Sequence, residues 1–218
     1  EGEYANVGGF QYQDSNDEIA IQSSIFTRKG TERIIRYAFE LAMSRDKKLT
    51  SITKSNAQGY SMVLWDKVFK EVSKDFPEIE TNSLLIDAAC MDFIRKPQDF
   101  DVVVASNLFG DILTDIGAII TGSMGLASSG NIDPTKTSPS MFEPTHGSAP
   151  DIAGKGLANP MAQTLTAGIM LRHLGENDSA EILENSVKRV LEVGESLTPD
   201  LGGNSSTDDV TKAIISNL

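Results

Sequence analysis

Hydrophobic and polar positions change period several times along this chain, and each change marks an element. The stretch up to Glu18 is Gly-rich and polar, and no element is assigned to it. Ile19 to Phe26 partly alternates, which predicts a strand. From Thr31 the spacing turns helical, with Thr31 as N-cap, Glu32 in the first turn, and Ile34, Ile35, Ala38, Leu41 and Ala42 as an apolar stripe. Leu49 to Ser55 reads as a short strand. Met62, Trp65, Val68, Phe69, Val72 and Phe76 then keep helical spacing until Pro77 stops the run. Ser83 to Asp87 is a second apolar strand, followed by a helix ending near Pro97. Asp101 to Ser106, with Val102-Val103-Val104 inside it, is a third, continuous enough for burial on both faces. A helix from about Leu108 to Ile120 follows. Strands and helices alternating at this spacing predict an α/β fold of parallel strands joined by right-handed crossovers.

Beyond Thr121 the composition shifts to Gly, Ser, Pro and Asn as far as Pro160, with a short apolar segment near Met141-Phe142. Pro160 fits the first turn of a helix ending before Gly175. Further helices are predicted from Ser179 to Val193 and from Ser206 or Thr207. The shift near Thr121 is the one domain boundary proposed, giving residues 1–121 and 122–218.

At ~150 residues per domain, 218 residues allow one large or two modest domains. A net charge of −12 makes a nucleic-acid backbone or an anionic membrane surface a poor partner. The single cysteine, Cys90, excludes an internal disulfide framework and zinc sites built on cysteine pairs. No apolar run approaches the ~20 residues that span a bilayer. A cytoplasmic protein is the expectation.

In an open parallel sheet, ligands bind beyond the carboxyl ends of the strands, which is where Lys54, Asp87 and Asn107 fall. Asp111 and Asp115, four apart, share one helix face. Three carboxylates without cysteine or histidine describe a hard oxygen site suited to Mg²⁺ or Mn²⁺. Taken singly, Asp87 could cap a helix and the other two could line a solvated face; together, beside a lysine, they point to a site. Lys54 could act as a base near a metal, or be a surface lysine at a strand end. The segment from Glu143 to Pro160 carries small residues that let backbone approach a ligand, and includes His146. Composition alone leaves a surface loop equally open. His173, near a helix end, reads as a favourable C-terminal residue. There is no G-x-G-x-x-G, no Walker motif and no G-x-S-x-G.

The Glu143–Pro160 loop, together with Asn107-Leu108-Phe109-Gly110-Asp111-Ile112-Leu113-Thr114-Asp115, resembles the isocitrate and isopropylmalate dehydrogenase family over essentially the whole chain. Phe26-Thr27-Arg28-Lys29-Gly30, Thr53-Lys54-Ser55-Asn56 and Val102 to Asn107 are most similar to its tartrate and D-malate dehydrogenase branch. The resemblance implies metal-dependent oxidative decarboxylation of a small 2-hydroxy dicarboxylate, with hydride transfer to NAD. It implies an isopropylmalate dehydrogenase-like two-domain fold present only as its C-terminal part. Residues 1–121 would be the central, dimerising domain and 122–218 the C-terminal part of the dinucleotide domain. Tyr4 matches the tyrosine that protonates the enolate, Lys54 the lysine that assists removal of the hydroxyl proton, and Asp87, Asp111 and Asp115 the metal ligands. Asn56 matches an asparagine near nicotinamide and substrate. Glu143, His146, Gly147, Ser148, Ala149, Asp151 and Asn159 match the loop holding the dinucleotide, with Asp151 beside the adenosine ribose, which favours NAD over NADP. Family dimers share sites, so Lys54 and Asp87 would serve the Asp111 and Asp115 of a partner.

Measured against that pattern, the N-terminal region with the substrate-gripping arginines is absent. The chain is therefore expected to be a fragment, poorly ordered after Thr121 and inactive alone. Isopropylmalate or isocitrate as substrate, or a non-catalytic subunit, are the alternatives.

Overall fold

A computed structural model describes residues 2–218, which divide into two compact units, residues 2–117 and 118–218. The chain order in the first unit is β1 (Gly2–Gln11), β2 (Ile19–Ile25), α1 (Arg28–Met43), β3 (Lys48–Thr53), α2 (Ser61–Val72), β4 (Glu80–Leu85), α3 (Ile86–Arg95), β5 (Val102–Val104) and α4 (Asn107–Ile120), whose last turn crosses into the second unit.

The three βα units form a parallel sheet of order β4-β3-β5, with Thr50 opposite Asn82 and Leu49 opposite Val102. The central strand is the most buried, from Leu49 to Thr53. Ile35, Phe39, Leu49, Ile52, Met62, Trp65 and Val68 make up the heart of the core. Phe39 stacks on Phe69 and Phe76 with centroids 5.4 and 5.0 Å apart. The Trp65 indole N–H donates to Ser51 Oγ at 2.9 Å, so the large ring is buried without an orphaned donor.

Several boundaries differ from the sequence reading. Helix α1 starts a turn earlier than predicted, because Thr27 is its N-cap and accepts from the Gly30 N–H. Its buried face is Thr31, Ile35, Ala38, Phe39 and Ala42, whereas Ile34 and Leu41 are exposed. The strand expected at Ser83–Asp87 ends at Leu85, which puts Asp87 in the first turn of α3. The polar opening stretch is a strand after all. β1 pairs antiparallel with β2 in a ribbon whose β2 residues are all exposed; β2 is the strand its partial alternation predicted, whereas Gly-rich β1 carries no such alternation.

The second unit begins with a 3₁₀ turn at Met124–Leu126 and a long loop closed by an isolated bridge between Asn131 and Met141. α5 (Met161–Leu174), α6 (Asn177–Val193) and α7 (Thr207–Ile215) follow. Pro160 is the N-cap residue of α5 rather than its first helical residue. Met161, Val187, Val190, Val210 and Ile214 form a small core, and Arg172 grips Glu184 with two hydrogen bonds of 2.9 and 2.6 Å. Gly175 and Gly194 end α5 and α6 in the left-handed conformation. Ser206 and Asp209 form a reciprocal capping box on α7. Among the described residues, this unit contributes no strand, and Leu174, Ile182 and Val193 stay exposed on its helices.

Candidate active site

The site residues of the first unit fall into two pairs. Lys54 directly follows β3, and its backbone carbonyl accepts from both Ala57 N (2.9 Å) and Gln58 N (2.8 Å). That turn fixes the lysine at the sheet's carboxyl end and leaves Asn56 exposed on the turn. The Lys54 ammonium donates to Asp87 Oδ1 across the β3–α3 corner. The Lys54 hydrogen bond, helped by an N–H of its own backbone, holds the Asp87 carboxyl below its usual range.

The second pair is Tyr4 and Asp111. The Tyr4 hydroxyl donates to Asp111 Oδ2 at 3.4 Å. Desolvation, followed by the charge and hydrogen bond of Asp111, raises the phenol above its ordinary value. Asp115, one turn further along α4, is exposed on the same face. Ser106, buried at the start of α4, donates to Glu3 Oε1 at 2.6 Å, and the other Glu3 oxygen is buried without a partner among the described residues. Neither Glu3 nor Ser106 was marked by the sequence reading. A glutamate next to Tyr4 in a polar stretch carries no periodic signal.

Asp87, Asp111 and Asp115 do not gather within one chain: no three acidic, histidine or cysteine side chains come together as a metal site among the described residues. Their chemistry nonetheless suits a hard divalent cation, because all three offer carboxylate oxygen and no sulfur or imidazole competes. No helix among the described residues is long and apolar enough to cross a membrane.

In the second unit Glu143, His146, Gly147, Ser148, Ala149 and Asp151 are exposed along one loop. Thr145 N–H donates to Ala127 O at 3.1 Å, and Thr207 donates from its N–H to Gly156 O (2.8 Å) and from its hydroxyl to Ala158 O (2.5 Å). Ala149, Gly154 and Gly156 all have positive φ, so the loop is a backbone-shaped surface. Such a surface suits a dinucleotide approached through main-chain groups.

Asn159 is different. It is buried, its amide donates to Asp200 Oδ2 at 3.0 Å, and its Oδ1 accepts from Met161 N–H at 3.0 Å at the start of α5. Ser123 Oγ also donates to Asp200. The Asn159 side chain is thus engaged within the fold. Asp200 was missed because a lone acid in a Pro-Asp-Leu-Gly turn looks like any other turn residue.

Residues 1–214 match the family described as isocitrate/isopropylmalate dehydrogenase. The chain is 52% identical over 218 residues to a probable tartrate dehydrogenase/decarboxylase of Bacillus subtilis, covering 100% of this chain and 61% of that protein. It is 47% identical to the decarboxylating D-malate dehydrogenase of Escherichia coli, covering 98% of this chain and 61% of that protein. Its structure superimposes on the crystal structure of isocitrate dehydrogenase from Methylococcus capsulatus with a TM-score of 0.90 at 40% identity, over 100% of this chain and 64% of that one. The chain therefore spans about three fifths of the length of these relatives.

Proposed function

This chain belongs to the isocitrate/isopropylmalate dehydrogenase family, and from that premise we propose that its residues serve the metal-dependent oxidative decarboxylation of a small 2-hydroxy dicarboxylate, D-malate or tartrate, with NAD as hydride acceptor. The observation that carries the reading is the pairing of a base with one carboxylate, Lys54 on Asp87, and of a protonated phenol with another, Tyr4 on Asp111.

Asp87, Asp111 and Asp115 would hold Mg²⁺ or Mn²⁺, which supplies Lewis-acid polarisation of the substrate's 2-hydroxyl and carboxylate, while NAD supplies the hydride acceptor. Lys54, as the neutral amine, would take the proton leaving the 2-hydroxyl and become the ammonium, and Asp87 would keep its Nζ aimed. Once oxidised at C2, the substrate is a 2-oxo acid with a carboxylate β to the carbonyl, so CO₂ departs and an enolate remains. Tyr4 would give its proton to the enolate carbon that lost CO₂, leaving a tyrosinate. The exposed loop from Glu143 to Asp151 would hold the dinucleotide, and Asp151 would accept from the adenosine ribose and repel a 2′-phosphate. Any contribution of Asn159 falls to its main chain or its remaining amide proton, and Asn56 would reach nicotinamide and substrate.

We assign the active form to a homodimer with shared sites. In support, the three aspartates stay apart within a chain, and apolar residues stand exposed on α3 and α4 (Met91, Ile94, Ile112) and on the ribbon (Phe10, Ile21). The reaction belongs in the cytoplasm, consistent with one free cysteine. The test is NADH formation by the intact protein with D-malate and with tartrate, with and without Mn²⁺ or Mg²⁺. NADH and CO₂ in equal amounts, dependent on the cation, are expected. No NAD reduction with any 2-hydroxy dicarboxylate would sink the reading.

A further inference from the structure

The β1–β2 ladder contains an irregularity at the candidate proton donor. Gly2 pairs with Ile25 and Val7 with Ser23. Between those two pairings β2 advances by two residues and β1 by five, so β1 carries three residues in excess. Four residues of β1, Glu3, Tyr4, Ala5 and Asn6, thus stand opposite the single Ser24 of β2 and form a bulge. Both polar side chains at its crest reach the β5–α4 corner: Glu3 accepts from Ser106 at 2.6 Å, and Tyr4 donates to Asp111 at 3.4 Å. To rejoin the ladder at Val7 the chain must turn back, and Asn6 makes that turn with φ +53°. This is left-handed backbone, which asparagine tolerates far better than a β-branched residue does. Asn6 is exposed, and its side chain makes no hydrogen bond among the described residues, so its contribution is conformational.

We propose that Asn6 is a positioning residue for the reaction: its left-handed turn closes the bulge that delivers the Tyr4 hydroxyl to Asp111. Bulges re-aim side chains next to active sites, and here the re-aimed group is the phenol. Without the bulge, a regular ladder would carry Tyr4 along the exposed ribbon, away from α4. The Glu3–Ser106 bond anchors the near side of the bulge and Asn6 closes its far side. The inference rests on the reading of Tyr4 as the proton donor to carbon.

The test compares Tyr4→Phe, Asn6→Gly, Asn6→Val and the Tyr4→Phe/Asn6→Val double variant in the intact protein. Tyr4→Phe should lower kcat about a hundredfold, the contribution of a positioned general acid. Asn6→Gly, free to take positive φ, should stay within about twofold of wild type. Asn6→Val should lower kcat about tenfold or more, with KM for NAD and hydroxy acid unchanged. In the double variant, Asn6→Val should add nothing to the loss from Tyr4→Phe, because its effect passes through the phenol. An Asn6→Val penalty that persists undiminished without the phenol, or wild-type turnover in Asn6→Val, would overturn the inference. Should Asn6→Val not fold, Asn6→Ala applies a smaller strain, and a smaller loss of kcat that vanishes without the phenol is expected. Crystal structures of Asn6→Gly and the strained variant give a readout independent of turnover. The phenol should stay on Asp111 in the first and leave it in the second. If Tyr4→Phe turns over like wild type, the role of Tyr4 fails. The structures alone then decide the placement: a phenol still on Asp111 in the strained variant would overturn it.

Discussion

In the first unit the candidate catalytic side chains are already held by partners, Lys54 by Asp87 and Tyr4 by Asp111, at the carboxyl ends of a sheet whose central strand is buried. In the second unit the candidate cofactor residues from Glu143 to Asp151 lie exposed on a loop with positive φ at Ala149, Gly154 and Gly156, while Asn159 is bonded into a polar cluster with Ser123 and Asp200. The difference matches the roles proposed for the two regions. Proton transfer depends on side-chain atoms placed within tenths of an ångström before the substrate arrives, so those atoms are fixed at element ends. A dinucleotide can be recognised largely through main-chain groups, so that loop needs a rigid backbone and few committed side chains.

The largest effect should come from breaking a pair in the first unit. Lys54→Met should lower kcat by about 10²–10⁴-fold, while thermal stability barely moves because the ion pair is partly exposed. Steady-state kinetics beside a melting curve checks both halves; a large drop in Tm with modest loss of kcat would make the pair structural.

In the second unit the corresponding blow is to Asn159, the buried member of the candidate cofactor set, and its partner Asp200. A Cβ on Gly125 would stand 2.6 Å from Asp200 Oδ2 and 2.7 Å from Asn159 Cβ. Gly125→Ala should therefore cost about 1–3 kcal/mol and raise KM for NAD, leaving kcat at saturating NAD close to wild type. A fall in kcat with unchanged KM would erase the contrast between the two regions.

The smallest effect is a pH dependence. Desolvation pushes the Asp200 carboxyl up, but hydrogen bonds from Ser123 and Asn159 and from the backbone outweigh it and hold it below 3.8. A carboxyl depressed in the folded state contributes stability that is fully present above 3.8 and is lost as pH falls through the lower native value. Asp200→Asn should thus melt below wild type at neutral pH, and the gap should close on the acid side. A Tm gap that stays constant across the series would contradict this.

Much of this was legible in the sequence where burial imposed a period. Trp65, Val68, Phe69 and Val72 announced α2, and Val102-Val103-Val104 announced a buried strand. Lys54 and Asp87 stood out by their place at predicted strand ends, and Asp111 and Asp115 by their four-residue spacing on one helix face. β1 was invisible because its Gly-rich, polar sequence carries no alternation, unlike its partner β2. The true start of α1 was hidden by Arg28 and Lys29, polar residues inside the first turn that looked like loop. Asp200 and the Glu3–Ser106 bond join residues 41 or more positions apart, and neither end carries a local signal.

The central claim is that each chain supplies two half-sites, Lys54 with Asp87 and Tyr4 with Asp111, and that they are completed from a partner. Lys54→Ala and Asp111→Asn should each abolish turnover in the intact homodimer. Unfolded together and refolded as an equal mixture, they should regain about a quarter of wild-type activity, since half the dimers would be mixed and each would hold one undamaged site. A mixture that stays as inactive as its parents, with mixed dimers confirmed, would show that Lys54 and Asp111 work within one chain and would contradict the account.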